Sequence, residues 1–125
     1  MSTTISGTNG VTFPDSTSMQ TGQQACKAWV NFNGTGTVAI RGSYNVSSIT
    51  DNGTGDYSIN FTNALPDATG CIVSMGVHDS GSYVTQPFAS NDNTPLTTER
   101  ARIDCLQPNN LSFVDGAYLY ISIFR

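Results

Sequence analysis

The chain has 125 residues, a mass of 13.3 kDa and a net charge of −4; only 11% of its residues are charged, against about 25% in an average soluble protein. Gly, Thr, Ser and Asn make up about two-fifths of it, whereas Lys and Glu, both strong helix formers, occur once each (Lys27, Glu99). This balance excludes a helical bundle, a nucleic-acid module with a phosphate-neutralising basic patch, and a membrane-inserted helix, for which no apolar run approaches the roughly 20 residues required.

One Trp, five Tyr and six Phe, with many β-branched residues, supply enough apolar mass for a core, so a disordered chain is also excluded. The remaining class is a single all-β domain.

Residues 1–25 differ from the rest. Their few large apolar side chains (Ile5, Val11, Phe13, Met19) are set among Ser, Thr, Gly and Gln, too little to fold alone. Asn9-Gly10 and Pro14-Asp15 mark turns. The segment reads as an extended N-terminal arm that needs another surface, with Ile5, Val11 and Phe13 as candidate docking residues toward a neighbouring subunit or another partner surface. The start, Met1-Ser-Thr-Thr-Ile5, has neither the basic nor the apolar region of a secretory signal peptide, so synthesis in the cytoplasm is expected.

From Cys26 to Arg125 the pattern becomes that of a β domain. In Ala28-Trp-Val-Asn-Phe32, residues 28, 30 and 32 share one face, which leaves Trp29 opposite with Lys27 and Asn31. Asn33-Gly34 then signals a hairpin into Thr37–Arg41. Tyr44–Thr50 reads as a further strand, and Asp51-Asn-Gly-Thr-Gly55 as a turn. Asp56–Thr62 alternates cleanly: Tyr57, Ile59 and Phe61 inward; Asp56, Ser58, Asn60 and Thr62 outward. Cys71–Val77 places Cys71, Val73, Met75 and Val77 on one side. Residues 79–98 show no clear period and read as a long outward loop, a place where function often sits. Arg100–Leu106 sets Ala101, Ile103 and Cys105 against Arg100, Arg102 and Asp104. Ala117–Phe124 is apolar on both faces, as expected of a central strand or an oligomer contact. Short strands at about ten-residue spacing predict an antiparallel β-sandwich, jelly-roll-like, with the arm at its N-terminus.

The residues for catalysis are sparse. Three cysteines (Cys26, Cys71, Cys105) without a C-x-x-C pair argue against a disulfide framework, and with one histidine, His78, they do not make a zinc set. His78-Asp79-Ser80 is no triad, because neighbours on a strand point to opposite faces. Most carboxylates adjoin Gly, Pro or Asn, where Asp serves turns. Asp51-Asn-Gly-Thr-Gly-Asp56 resembles a calcium loop only until its twelfth position, which is Thr62 rather than Glu. The five N-x-[ST] sequons, at Asn33, Asn45, Asn52, Asn60 and Asn110, follow from the composition. No catalytic residue, metal or cofactor is expected. Aromatics are the remaining signal: Tyr83 and Phe88 as a candidate outward binding loop, and Trp29 as an exposed aromatic or subunit contact. A carbohydrate-binding module using these three is one reading of them.

The run Ile5-Ser-Gly-Thr-Asn-Gly-Val-Thr-Phe-Pro-Asp15 resembles the lead-in segment of many phage tail-fibre C-terminal regions. Ala28-Trp-Val-Asn-Phe-Asn-Gly-Thr-Gly36, Tyr44–Tyr57 and Asn60-Phe-Thr-Asn-Ala-Leu-Pro66 are similar to the domain that follows it there. The resemblance covers about residues 5–66. It implies a non-enzymatic virion structural protein, a homotrimer, with Ile5, Val11 and Phe13 as the docking residues toward the virion; other phage structural proteins and a host cell-surface glycan are the expected partners. A typical tail fibre is much longer and carries shaft and attachment regions upstream. A stand-alone small fibre and a capsid decoration protein that stabilises the phage head are therefore both expected forms.

Overall fold

The computed structural model describes residues 3–6, 10–16, 18–19, 26–69, 71–78, 86–89 and 96–125. The main body is an antiparallel β-sandwich of two four-stranded sheets. One has the order β5(Ala39–Tyr44), β4(Cys26–Asn33), β11(Tyr118–Phe124), β8(Ile72–His78). The other runs β6(Val46–Gly53), β7(Asp56–Phe61), β10(Arg100–Leu106), β9(Gln86–Ala89). Three further short strands, β1(Thr4–Ser6), β2(Gly10–Thr12) and β3(Ser18–Met19), form a separate meander.

The core follows from period-two alternation in the two central strands of each sheet. Ala28, Val30 and Phe32 of β4 and Leu119, Ile121 and Ile123 of β11 point inward. They meet Tyr57, Ile59 and Phe61 of β7 and Ala101, Ile103 and Cys105 of β10. Phe32 and Tyr57 touch edge to face across the sheets, with ring centroids 5.3 Å apart and planes at 75°, the arrangement that aromatic quadrupoles favour. β8 contributes Val73, Met75 and Val77, which pack on the core only in part. β11, the strand apolar on both faces, lies between β4 and β8, as its sequence predicts.

One asparagine holds the corner where the chain passes from β5 in one sheet to β6 in the other. Asn45 has φ 56°, a left-handed conformation that Asn tolerates better than most residues. Its Nδ2 donates to the carbonyls of Lys27 and Asn63, each at 3.0 Å, and its Oδ1 accepts from the Asn63 N–H at 2.8 Å. The corner is thereby tied both to β4 and to the segment after β7.

Three readings of the sequence need correction. Ser58 and Asp104, assigned outward, are only 3% and 4% exposed. Alternation gives the face a residue points to, but neighbouring side chains decide whether water reaches it. The stretch 79–98 is not a loop throughout: residues 86–89 form edge strand β9, which pairs with β10 and places Phe88 opposite Asp104. Four residues containing a proline are too short to show a period. The arm is not simply extended either. Its described segments fold back so that Ile5, Val11 and Met19 fall in one cross-strand row. Neither Ile5 nor Val11 belongs to the sandwich core.

Candidate functional site

The outer faces of the two sheets carry opposite chemistry. On β6–β7–β10 the polar side chains satisfy one another. Asn60 Nδ2 donates to Ser48 Oγ at 3.0 Å and Thr50 Oγ1 at 2.9 Å. Asn52 Nδ2 reaches Ser58 Oγ at 2.9 Å and Asp56 Oδ1 at 3.2 Å. Arg102 clamps Asp56 with two hydrogen bonds, Nε to Oδ1 at 2.9 Å and Nη2 to Oδ2 at 2.6 Å. Bidentate guanidinium–carboxylate pairs of this kind are the strong end of the hydrogen-bond range. Such a ladder suits contact with water.

The clamp has a pH signature. The Arg102 hydrogen bonds, with smaller help from Asn52, outweigh desolvation and hold the Asp56 carboxyl below its ordinary value of 3.8. A carboxyl depressed in the folded state stabilises that state fully above its unfolded value and loses the contribution as pH falls through the folded one. The denaturation midpoint of the wild type is therefore expected to decline below about pH 4. In Arg102→Ala the part of that decline due to Asp56 should vanish. Urea titrations of both proteins across this range check it; parallel profiles would contradict the assignment.

The outer face of β5–β4–β11–β8 is aromatic. Trp29 is 43% exposed and Tyr44 57% exposed, and Tyr118, Tyr120 and Phe124 are also exposed. Register explains why they gather. Trp29 pairs with Tyr44 on one side and Ser122 on the other, and Ser122 pairs with Ser74. The next outward row is Gly42, Asn31, Tyr120, Gly76. The two glycines end this row on the outer strands and leave space for the rings. A Cβ on Gly42 would sit 3.5 Å from the Trp29 ring, and one on Gly76 would sit 3.8 Å from Tyr120 Cδ2. Each ring thus lies beside a glycine of an outer strand. A groove of about 490 Å³ runs between them, bordered by Trp29, Asn31, Ser74, Gly76, Tyr120 and Ser122. This volume is within the usual range for small-molecule clefts. Asn31 Oδ1 is buried at this place and accepts no hydrogen bond, a condition that costs free energy in a folded protein.

The remaining groups with chemical potential have structural surroundings. His78 meets Tyr118 edge to face at 5.5 Å, and the Arg41 guanidinium lies over the same Tyr118 ring at 4.0 Å. Cys105 is buried, and burial, reinforced by Asp104 and Asp115, pushes its thiol up to about 12; it is a poor nucleophile there. Cys26 and Cys71 donate to the carbonyls of Ala28 and Asp67. Among the described residues, no cluster of three or more His, Cys, Asp or Glu could hold a metal ion.

Of the residues singled out in the sequence, Trp29 is on the aromatic face. Ile5 is 82% exposed and Phe13 is exposed on the arm, with Val11 half-buried between them. Tyr83 lies outside the described residues, and Phe88 is placed only by its backbone in β9. The β9 backbone that carries Phe88 belongs to the other sheet from Trp29. Sequence reasoning missed Asn31, Tyr44 and Tyr120. The available signal was that Ala117–Phe124 is apolar on both faces, which places Tyr118, Tyr120 and Phe124 on whichever side does not face the core. Comparison with family models, curated proteins and solved structures found no match.

Proposed function

We propose that this chain is a non-enzymatic bacteriophage virion structural protein, a homotrimeric tail-fibre or fibre-tip module that docks through its N-terminal arm and contacts the host surface through its sandwich. The observation that carries the reading is the pairing of an exposed aromatic sheet face with titratable groups already committed to structural partners. That combination suits recognition rather than group transfer. The similarity of residues 5–66 to phage fibre segments supplies the biological setting. In the arm, the cross-strand pair Ile5 and Val11 places apolar residues outside the sandwich core, where a neighbouring subunit would cover them.

Light scattering on the purified chain tests the assembly. A particle of three times 13.3 kDa is expected, and Ile5→Asp combined with Val11→Asp should shift it toward the monomer. A wild-type protein that stays monomeric at high concentration would overturn the trimer. Electron microscopy of phage particles then separates a tail position from a decoration of the head.

A further inference from the structure

The groove between Trp29 and Tyr120 stands apart from two other concavities of the described surface. The cleft of about 380 Å³ beside Cys26, Lys27 and Pro66 contains Asn45, whose amide is already engaged at both ends. The depression at Asn52, Asp56 and Phe113 is about 230 Å³ and includes the carboxylate that Arg102 clamps. In the Trp29–Tyr120 groove, by contrast, a buried amide oxygen has no partner.

We propose that this groove binds neutral sugar residues of a cell-surface polysaccharide, with Trp29 and Tyr120 stacking on their C–H faces and Asn31 reading their hydroxyls. The proposal rests on the host-contact reading above and names the ligand class of that contact. Three features select the class. Among the described residues no charged side chain borders the groove, so phosphate, sulfate and uronate groups would find no counter-charge among them. Its walls are aromatic and its remaining groups are amide and hydroxyl, which suits a ligand with apolar faces and a dense edge of donors and acceptors. Finally, Asn31 supplies a buried acceptor that bonds to nothing among the described residues. The terminal torsion of Asn is broad, so the amide can turn either its Oδ1 or its Nδ2 to a hydroxyl. The same observations disfavour a second copy of the chain as occupant. An apolar partner face pressed on the groove would leave the Asn31 amide and the Ser74 and Ser122 hydroxyls buried without partners, at a cost.

Trp29 is the single tryptophan of the chain, so its fluorescence reports on this site alone. The purified protein should be titrated with soluble neutral hexose and N-acetylhexosamine oligosaccharides, then with sulfated and uronate-containing ones. A saturable change in Trp29 emission is expected with a neutral series and not with the charged ones. Asn31→Ala and Tyr120→Ala keep the reporter and should weaken binding about tenfold or more; Ser48→Ala, on the opposite face, should not. Trp29→Ala, followed by calorimetry, should abolish binding. Circular dichroism and thermal melts of each variant separate lost binding from lost fold.

The proposal is overturned if none of the neutral series binds. It is also overturned if the charged series binds as well, or if Asn31→Ala and Tyr120→Ala both bind normally. A concentration-dependent emission shift without sugar, accompanied by a rise in mass, would assign the face to self-association and overturn it too. A trimer without sugar binding refutes only the ligand, and a sugar-binding monomer refutes only the fibre assembly.

Discussion

Gly55→Ala is expected to destabilise the protein by more than about 3 kcal/mol, a large share of the roughly 5–15 kcal/mol that holds a domain of this size folded. Gly55 has φ +68°, and a Cβ there would fall 2.6 Å from the Cys105 carbonyl oxygen, 2.7 Å from that of Val114 and 2.8 Å from the Val114 nitrogen. These are backbone atoms, which cannot swing aside as a flexible side chain would. They are also bonded to one another: Cys105 N–H donates to Gly55 O at 2.7 Å, and Val114 N–H to Cys105 O at 3.0 Å. Relieving the clash would therefore open the junction of β7, β10 and the segment before β11. Gly36→Ala is the control. It has φ +62° with nothing within 4 Å of the added Cβ, so it carries only the conformational cost of about 1–2 kcal/mol. Urea denaturation of both variants measures the difference. Equal losses would show that close packing at Gly55 is not the cause.

The second large effect is expected at Tyr57, the bulkiest fully buried side chain among the described residues. Its hydroxyl lies 2.7 Å from Asp115 Oδ1 and 2.9 Å from the Gly34 carbonyl oxygen, and Asp115 Oδ1 also accepts the Gly55 N–H at 2.8 Å. Three distant parts of the chain meet on this one phenol: the β4–β5 turn, the start of β7 and the approach to β11. Burial, and then the Asp115 carboxylate, push the phenol above its ordinary range, so it remains a neutral donor. Tyr57→Phe keeps the ring and its edge-to-face contact with Phe32 but removes a hydrogen bond to a charged acceptor. A loss of about 1.5–3 kcal/mol follows. Tyr57→Ala adds a core cavity and should cost about 3–5 kcal/mol or more. A double-mutant cycle of Tyr57→Phe with Asp115→Asn isolates the pair. Additive losses would show that the two groups do not act together.

The sandwich and the carriers of its core could be read from the residues because alternation is a local property. Tyr57, Ile59 and Phe61 face inward, as do Ala28, Val30 and Phe32, since successive side chains on a strand must point to opposite sides. The same rule set Trp29 outward. Where the run was too short, as at Gln86–Ala89, there was no period to detect. Where burial came from neighbours, as at Ser58 under Asn52 and Arg100, alternation predicted the direction and missed the environment.

The candidate site was legible only in fragments. Trp29 and the two-faced strand Ala117–Phe124 were visible as anomalies, but nothing local brings residue 31 beside residue 120, or residue 42 beside residue 29. That depends on β4 pairing with β11 and β5 in one particular register, and register is selected by core burial over the whole sandwich. Composition and periodicity thus determined by themselves the class of fold and the core faces of its strands. The tertiary structure alone decided that Trp29, Asn31 and Tyr120 share a groove. Strand order and register are long-range outcomes of packing, and a pattern that repeats every two residues carries no information about which strand becomes the neighbour.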